Sequence, residues 1–90
     1  MRNMRILVDT NVLLDYVLDR EPYAGEAARI FRLCENKTVQ GCVAAHTIPL
    51  QTECAKEYRA DYIVTRNCGD FSSSAVPALE PPDFLAFTHT

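Results

Sequence analysis

The chain has 90 residues, with nine Lys and Arg against twelve Asp and Glu, and therefore a net charge of −3. That length supports a single domain with a modest core, and we take residues 1–90 as that domain. Hydrophobic residues make up 48% of the chain and charged residues 23%, which is globular usage and excludes a disordered chain. The acidic balance lacks the basic excess that is typical of a nucleic-acid clamp.

The sequence predicts a protein of the cytoplasm with no membrane span. No run approaches the roughly 18 apolar residues that cross a bilayer, and the run at 6–8 ends at Asp9, too early for an export signal. The four cysteines lie at positions 34, 42, 54 and 68. Their spacing fits no zinc pattern, so we expect reduced and mostly buried thiols.

Strands and helices alternate in the first half of the chain. The short apolar run at 5–8 predicts a buried strand, and the longer run at 12–18 predicts a helix that ends before Pro22. Apolar residues then recur at helical spacing over 27–34, which predicts an amphipathic helix. Residues 39–45 predict a second strand.

The alternation continues in the second half. A helix is expected to begin at Pro49, and residues 62–65 predict a third strand. Residues 76–79 predict a short strand that Pro77 confines to an edge, and residues 82–85 predict a last helical turn. Strands that alternate with helices predict an α/β fold with a mostly parallel sheet.

Polar residues follow two of these strands. Asp9 and Asn11 follow the first strand, and Asn67 and Asp70 follow the third. In open α/β sheets, ligands bind beyond the carboxyl ends of the strands. Carboxylate and amide oxygens suit Mg²⁺ or Mn²⁺, and such an ion activates water against a phosphodiester. The pattern therefore predicts a candidate divalent-metal site.

Each of these residues also has a structural interpretation. Asp9 is equally suited to cap the helix that follows it, and Asp70 to occupy a turn. Thr65 is either an ordinary strand residue or a hydroxyl that positions water. Arg66 either contacts phosphate or is a solvated or helix-capping side chain. His46 has no acid near it in sequence, and we interpret it as structural rather than as a general base.

Two separate motifs resemble the PIN domain family. Residues 8–15 read VDTNVLLD and resemble the opening of a PIN domain. Residues 60–67 read ADYIVTRN, and with Asp70-Phe71 they resemble the closing motif. The tail at 76–85 is similar to the last strand and short final helix of the family. The resemblance covers the chain from about Met4 to Phe87.

The resemblance implies a Rossmann-like three-layer α/β/α fold and an endoribonuclease that depends on Mg²⁺ or Mn²⁺. Many bacterial members are VapC-type toxins of toxin–antitoxin pairs, and homodimers are common. Asp9 and Asp70 correspond to the first and last acidic metal ligands. Asn11, Thr65 and Asn67 match polar positions that line the same pocket.

The chain departs from the family in its middle. Members carry an acid after the second strand and an Asp early in the next long helix, but residues 46–49 contain neither. Glu53 is the nearest substitute, and its helical direction is outward. We therefore expect a shortened domain without the middle helices and an edge strand. Surface left uncovered in this way predicts a homodimer, which swapping of elements would allow.

Two functions follow from these departures. The first is a weakened or inactive PIN-type ribonuclease that acts on RNA. The second is a non-catalytic module that dimerises or binds an antitoxin-type protein. A phosphoryl-transfer enzyme with an aspartate nucleophile ranks below both, because Asn11 stands where the second Asp of such a site belongs.

Overall fold

A computed structural model describes residues 4–44, 56–71 and 74–88 of the chain. Its four strands are β1 (Met4–Asp9), β2 (Val39–Ala44), β3 (Tyr62–Val64) and β4 (Ala78–Leu79). Its helices are α1 (Thr10–Val17), α2 (Ala24–Glu35) and α3 (Pro81–Thr88), and a 3₁₀ turn covers Cys68–Phe71.

All four strands are parallel and lie in the order β2-β1-β3-β4. The central strand β1 places Leu7 beside Cys42 of β2 on one side and Ile63 of β3 on the other. Its residues 6–8 are fully buried. A strand that is covered on both faces reads as an unbroken apolar run, and this is why the sequence of β1 shows no alternation. The predicted α/β fold with a parallel sheet is confirmed.

Successive residues of β1 point to opposite faces of the sheet and enter two separate cores. Ile6 and Val8 pack in the larger core, which is formed with residues of all three helices. Leu7 packs on the other face in a smaller core with Ile63, Phe71 and Val76. The amphipathic helix predicted over 27–34 is confirmed as α2, which buries Ala27 and Ile30 in the larger core.

Several element boundaries differ from those predicted. Helix α1 begins at Thr10 rather than at residue 12, because Asp9 already stands at the N-cap position. Strand β3 ends at Val64, one residue early, and β4 is shorter than expected after Pro77. The last helical turn is the eight-residue helix α3, whose two initial prolines suit a first helical turn.

Part of the prediction lies outside the described residues. This holds for His46, Glu53, Cys54 and the start of the helix expected at Pro49; residues 56–58, where description resumes, are helical. The expected loss of middle helices and an edge strand also concerns this stretch. The other three cysteines are free, and they are half-buried rather than buried. None of the helices in the described part of the chain combines the length and apolar character that crossing a bilayer requires.

Gly41 of β2 faces Cys34 of α2. A Cβ atom at Gly41 would lie 2.5 Å from the Sγ atom of Cys34 on α2, closer than van der Waals contact permits. The absence of a side chain at Gly41 therefore leaves room for the Cys34 thiol between helix and strand.

We expect Gly41→Ala to lower the free energy of unfolding by about 1–3 kcal/mol through overpacking. The double variant with Cys34→Ala should recover most of this loss, because the clashing sulfur is gone. Gly25→Ala is the control: its new Cβ meets nothing within 4 Å, and helix propensity should raise stability by about 0.5 kcal/mol. Urea unfolding of the variants measures these differences, and equal stabilities for Gly41→Ala and the double variant would contradict the proposed clash.

Candidate active site

The strand order creates a crevice between the carboxyl ends of β1 and β3. The chain leaves β1 towards β2 on one side of the sheet, and it leaves β3 towards β4 on the other side. The two connections thus diverge at the β1–β3 pair, and such a switch point is where open parallel sheets bind ligands. Asp9 is the last residue of β1, and Thr65 directly follows β3.

A chain of hydrogen bonds crosses this switch point. The Thr65 hydroxyl donates to Asp9 Oδ2 at 2.9 Å, and the backbone N–H of Asn67 donates to Thr65 Oγ1 at 3.1 Å. Asp9 is 6% exposed and Thr65 is fully buried. Because Thr65 Oγ1 accepts from Asn67, its own proton is directed at Asp9, and the carboxylate is held in one orientation.

The hydrogen bond to Thr65 bears on whether Asp9 is a helix cap or a metal ligand. Asp9 stands at the N-cap of α1, but within the described residues its side chain makes no capping hydrogen bond to that helix. The carboxylate instead bonds across the sheet to Thr65. Thr65 is accordingly not an ordinary strand residue, since its side chain connects the ends of two strands.

The other predicted site residues surround this chain of bonds. Asn11 lies half-buried in the first turn of α1. Asn67 and Asp70 are exposed, and the backbone N–H of Asp70 donates to the Asn67 carbonyl at 3.0 Å. In the described part of the chain, no side-chain hydrogen bond joins Asp70 to Asp9 or Thr65. The structure therefore links Asp9, Thr65 and Asn67 directly, and Asp70 only through the backbone of the 3₁₀ turn.

The ligand atoms at the crevice fit a metal site that keeps several waters and do not fit one enclosed by protein ligands. Among residues 4–44, 56–71 and 74–88, no three His, Cys, Asp or Glu side chains group closely enough to enclose an ion. Mg²⁺, however, commonly binds one or two carboxylates and keeps several waters or substrate phosphates. A crevice with the oriented carboxylate of Asp9, and with Asp70 exposed in the turn after β3, suits such a water-rich site and not a closed cage of acids.

Cys68 adds no thiolate to this set. Its Sγ lies 3.7 Å from the Thr65 carbonyl oxygen. Burial raises the pKa of the Cys68 thiol, and the negative charges of Glu80 and Asp83 raise it further. The thiol is therefore protonated at neutral pH, and a protonated thiol is a poor nucleophile and metal ligand.

A buried ion pair next to the crevice was missed at the level of sequence. Asp15 of α1 is 1% exposed and accepts two hydrogen bonds from Arg66, at 2.7 Å from Nε and 3.1 Å from Nη2. The Arg66 guanidinium also lies over the Tyr23 ring, 4.1 Å from its centroid. The signal was present: Asp15 follows Val12 by three residues inside an apolar helix, so it faces the core and needs a cation. The interpretations of Arg66 as a phosphate contact, a solvated side chain or a helix cap do not include this pairing.

The Asp15–Arg66 pair borders a cavity of about 260 Å³. Besides Tyr23, Arg66 and Asn67, the cavity is lined by Glu26 of α2, by Glu80 and by the first two residues of α3. The cavity thus adjoins residues 65–67, the segment that begins with Thr65.

Comparison with known proteins gives one match. The sequence model of the PIN domain family matches residues 5–49, which is half of the chain. The chain belongs to the PIN domain family. This family is of nuclease type, and its domains generally use divalent metals. No curated protein and no solved structure matches the chain. The matched span of this PIN domain holds Asp9, Asn11 and Asp15, whereas Thr65 and Asp70 lie beyond it.

The Asp15–Arg66 pair should respond unequally to loss of its two members. Arg66→Gln removes both hydrogen bonds to the buried Asp15 carboxylate and leaves it, among the described residues, only the longer contact to Arg20, at 4.0 Å, so about 3 kcal/mol of unfolding free energy should be lost. Asp15→Asn leaves a guanidinium that is already 26% exposed, so about 1–2 kcal/mol is expected. Denaturant unfolding of both variants tests the order. A larger loss for Asp15→Asn than for Arg66→Gln would contradict this account of the pair.

Proposed function

We propose that this PIN domain is an endoribonuclease of the VapC-toxin type that uses Mg²⁺ or Mn²⁺ and has reduced activity. The observation that supports the proposal most is the Asp9 carboxylate. It is buried at the switch point of a parallel sheet and is oriented by a hydroxyl from the neighbouring strand. A carboxylate is a hard oxygen ligand of the kind that Mg²⁺ and Mn²⁺ prefer, and at this place it lies where open parallel sheets bind ligands.

Each site residue has a distinct part in this proposal. Asp9 and Asp70 are the residues that would hold the ion, which supplies Lewis acidity and lowers the pKa of a bound water. Thr65 fixes the orientation of the Asp9 carboxylate. The side-chain amides of Asn11 and Asn67 both donate and accept hydrogen bonds, and they orient the phosphate and the attacking water.

Reduced activity follows from the small number of acids in the proposed site. Fewer carboxylates bind the ion less tightly, so more metal is needed to fill the site. Water activation also weakens, because the ion is positioned by fewer fixed ligands. We propose that the chain acts in the cytoplasm, where such a site meets RNA.

We expect the purified chain to cleave RNA slowly in Mn²⁺ and in Mg²⁺, and Asp9→Asn to reduce cleavage to the background without protein. Thr65→Val removes the orienting hydroxyl and should lower the rate about 10- to 100-fold. Gel analysis of labelled structured and unstructured RNA, with and without EDTA, measures these rates. Glu35→Gln is the matched control, because Glu35 is an exposed acid on α2 outside the site. Cleavage that persists unchanged in Asp9→Asn would refute the proposed nuclease.

A second candidate function is supported by the absence of a three-acid group among the described residues. In this alternative the PIN fold is retained as a module that forms a homodimer, with or without swapped elements, or binds an antitoxin-type protein. Large apolar side chains are exposed at the end of α1 and beyond it, including Val17 at 62% and Leu18 at 56%. Exposed apolar side chains that lie together favour association, and we propose a second copy of the chain as the partner.

The dimer is tested by placing a charge on this surface. Leu18→Glu should lower the fraction of dimer at micromolar concentration, because a buried carboxylate opposes association. Phe87→Glu is the matched control, since Phe87 is equally exposed but lies on α3. Light scattering across a dilution series measures the mass of each variant. A folded monomer of the unmodified chain at all concentrations would rule out the dimer.

A further inference from the structure

We propose that the cavity beside Arg66 binds a guanine base of the RNA substrate. This inference rests on the proposed function, because it assigns a base-recognition subsite to the same nuclease. The cavity and the candidate active site are formed by consecutive residues. Arg66 and Asn67 line the cavity, and Thr65, which orients Asp9, directly precedes them.

The cavity contains a rigid, flat and charged surface. The guanidinium of Arg66 lies over the Tyr23 ring, and two hydrogen bonds to the buried Asp15 fix its plane. Unpaired bases in RNA stack on aromatic rings and on arginine planes. An arginine that is already held in place loses little freedom when a base stacks there, so the surface is preorganised for such a ligand.

The size of the cavity selects a small planar ligand. Pockets for drug-sized molecules occupy about 300–1,000 Å³. The cavity beside Arg66 has about 260 Å³, which is below that range. It therefore suits one base and not a folded oligonucleotide or a helix.

The polar lining selects among the bases. Glu26 and Glu80 both line the cavity, and ionised carboxylates only accept hydrogen bonds. Guanine presents two adjacent donors, the ring N1–H and the exocyclic amino group, which match the two oxygens of one carboxylate. Adenine and cytosine place an acceptor beside their amino group, and uracil places acceptors on both sides of its single N–H. Guanine is thus the base that leaves the fewest acceptors facing a carboxylate.

Titration calorimetry with the four nucleoside 5′-monophosphates tests the subsite without requiring cleavage. All four carry the same phosphate, so differences between them report on the base. We expect GMP to bind most tightly and Tyr23→Leu to weaken GMP binding about tenfold through the loss of stacking. Tyr16→Leu is the matched control, because Tyr16 is also an exposed tyrosine but does not line the cavity. Glu26→Gln and Glu80→Gln should reduce the preference for GMP over AMP.

The outcomes separate this inference from the proposed function. Retention of GMP binding in Asp9→Asn, together with loss of cleavage, supports both. GMP binding that depends on Tyr23 in a chain without metal-dependent cleavage supports the subsite and refutes the nuclease. Equal binding of all four nucleotides, no saturable GMP binding, or equal effects of Tyr23→Leu and Tyr16→Leu overturns the guanine subsite. Binding of an arginine amide in place of GMP also overturns it, and would assign the cavity to a protein partner.

Discussion

The hydrogen bond from Thr65 to Asp9 joins residues 56 positions apart, and the candidate site depends on it. The bond forms because β1 and β3 are parallel neighbours, with Val8 beside Val64 and the two polar residues one step further on. A shift of one residue in this register would turn Thr65 to the opposite face of the sheet. The buried apolar pairs of β1 and β3 oppose such a shift, so the hydrophobic core sets the geometry of the polar site.

A second constraint holds the same segment from the other side. Arg66, between Thr65 and Asn67, is tied to Asp15 of α1. Helix α1 begins directly after Asp9, so this short helix connects the carboxylate of the candidate site to Asp15, which holds the loop after β3. Buried ion pairs add little net stability, because desolvation of the two charges offsets their attraction, but the loss of one member is costly. Here the pair specifies where the loop after β3 runs.

Membership of the PIN domain family favours a nuclease, whereas the small number of acids in the described part of the candidate site favours a module without catalysis. The family supplies the nuclease frame and the expectation of a divalent metal. The described residues supply one well-oriented carboxylate, Asp9, and one exposed carboxylate, Asp70, in the following turn. An ion at the proposed site would therefore be coordinated mostly by water and substrate. The two proposed functions, a weak metal-dependent nuclease and a module that binds a second copy, are compatible in one molecule.

Local patterns determined much of the fold. Three patterns were sufficient to predict a parallel α/β sheet with Asp9 at the carboxyl end of a strand. They are the unbroken apolar run of β1, the helical spacing in α2 and the polar residues after β1 and β3. Helix boundaries were less certain, because α1 begins on the capping position itself and α3 extends past the turn that its prolines start. The motif at 60–67 also identified Thr65 and Asn67, which the structure joins to Asp9.

Only the tertiary structure decided what these residues contact. The sequence indicated that Asp15 lies on an apolar helix face. The nearby Arg20 contacts it only at 4.0 Å, whereas the hydrogen bonds come from Arg66, 51 residues away. The cavity with Glu26 and Glu80 likewise arises from three elements that are distant in the chain. Spacing in the chain determines which face of a strand or helix a side chain occupies. Contacts between distant elements depend on how the whole sheet and its helices pack, and that is a property of the folded chain.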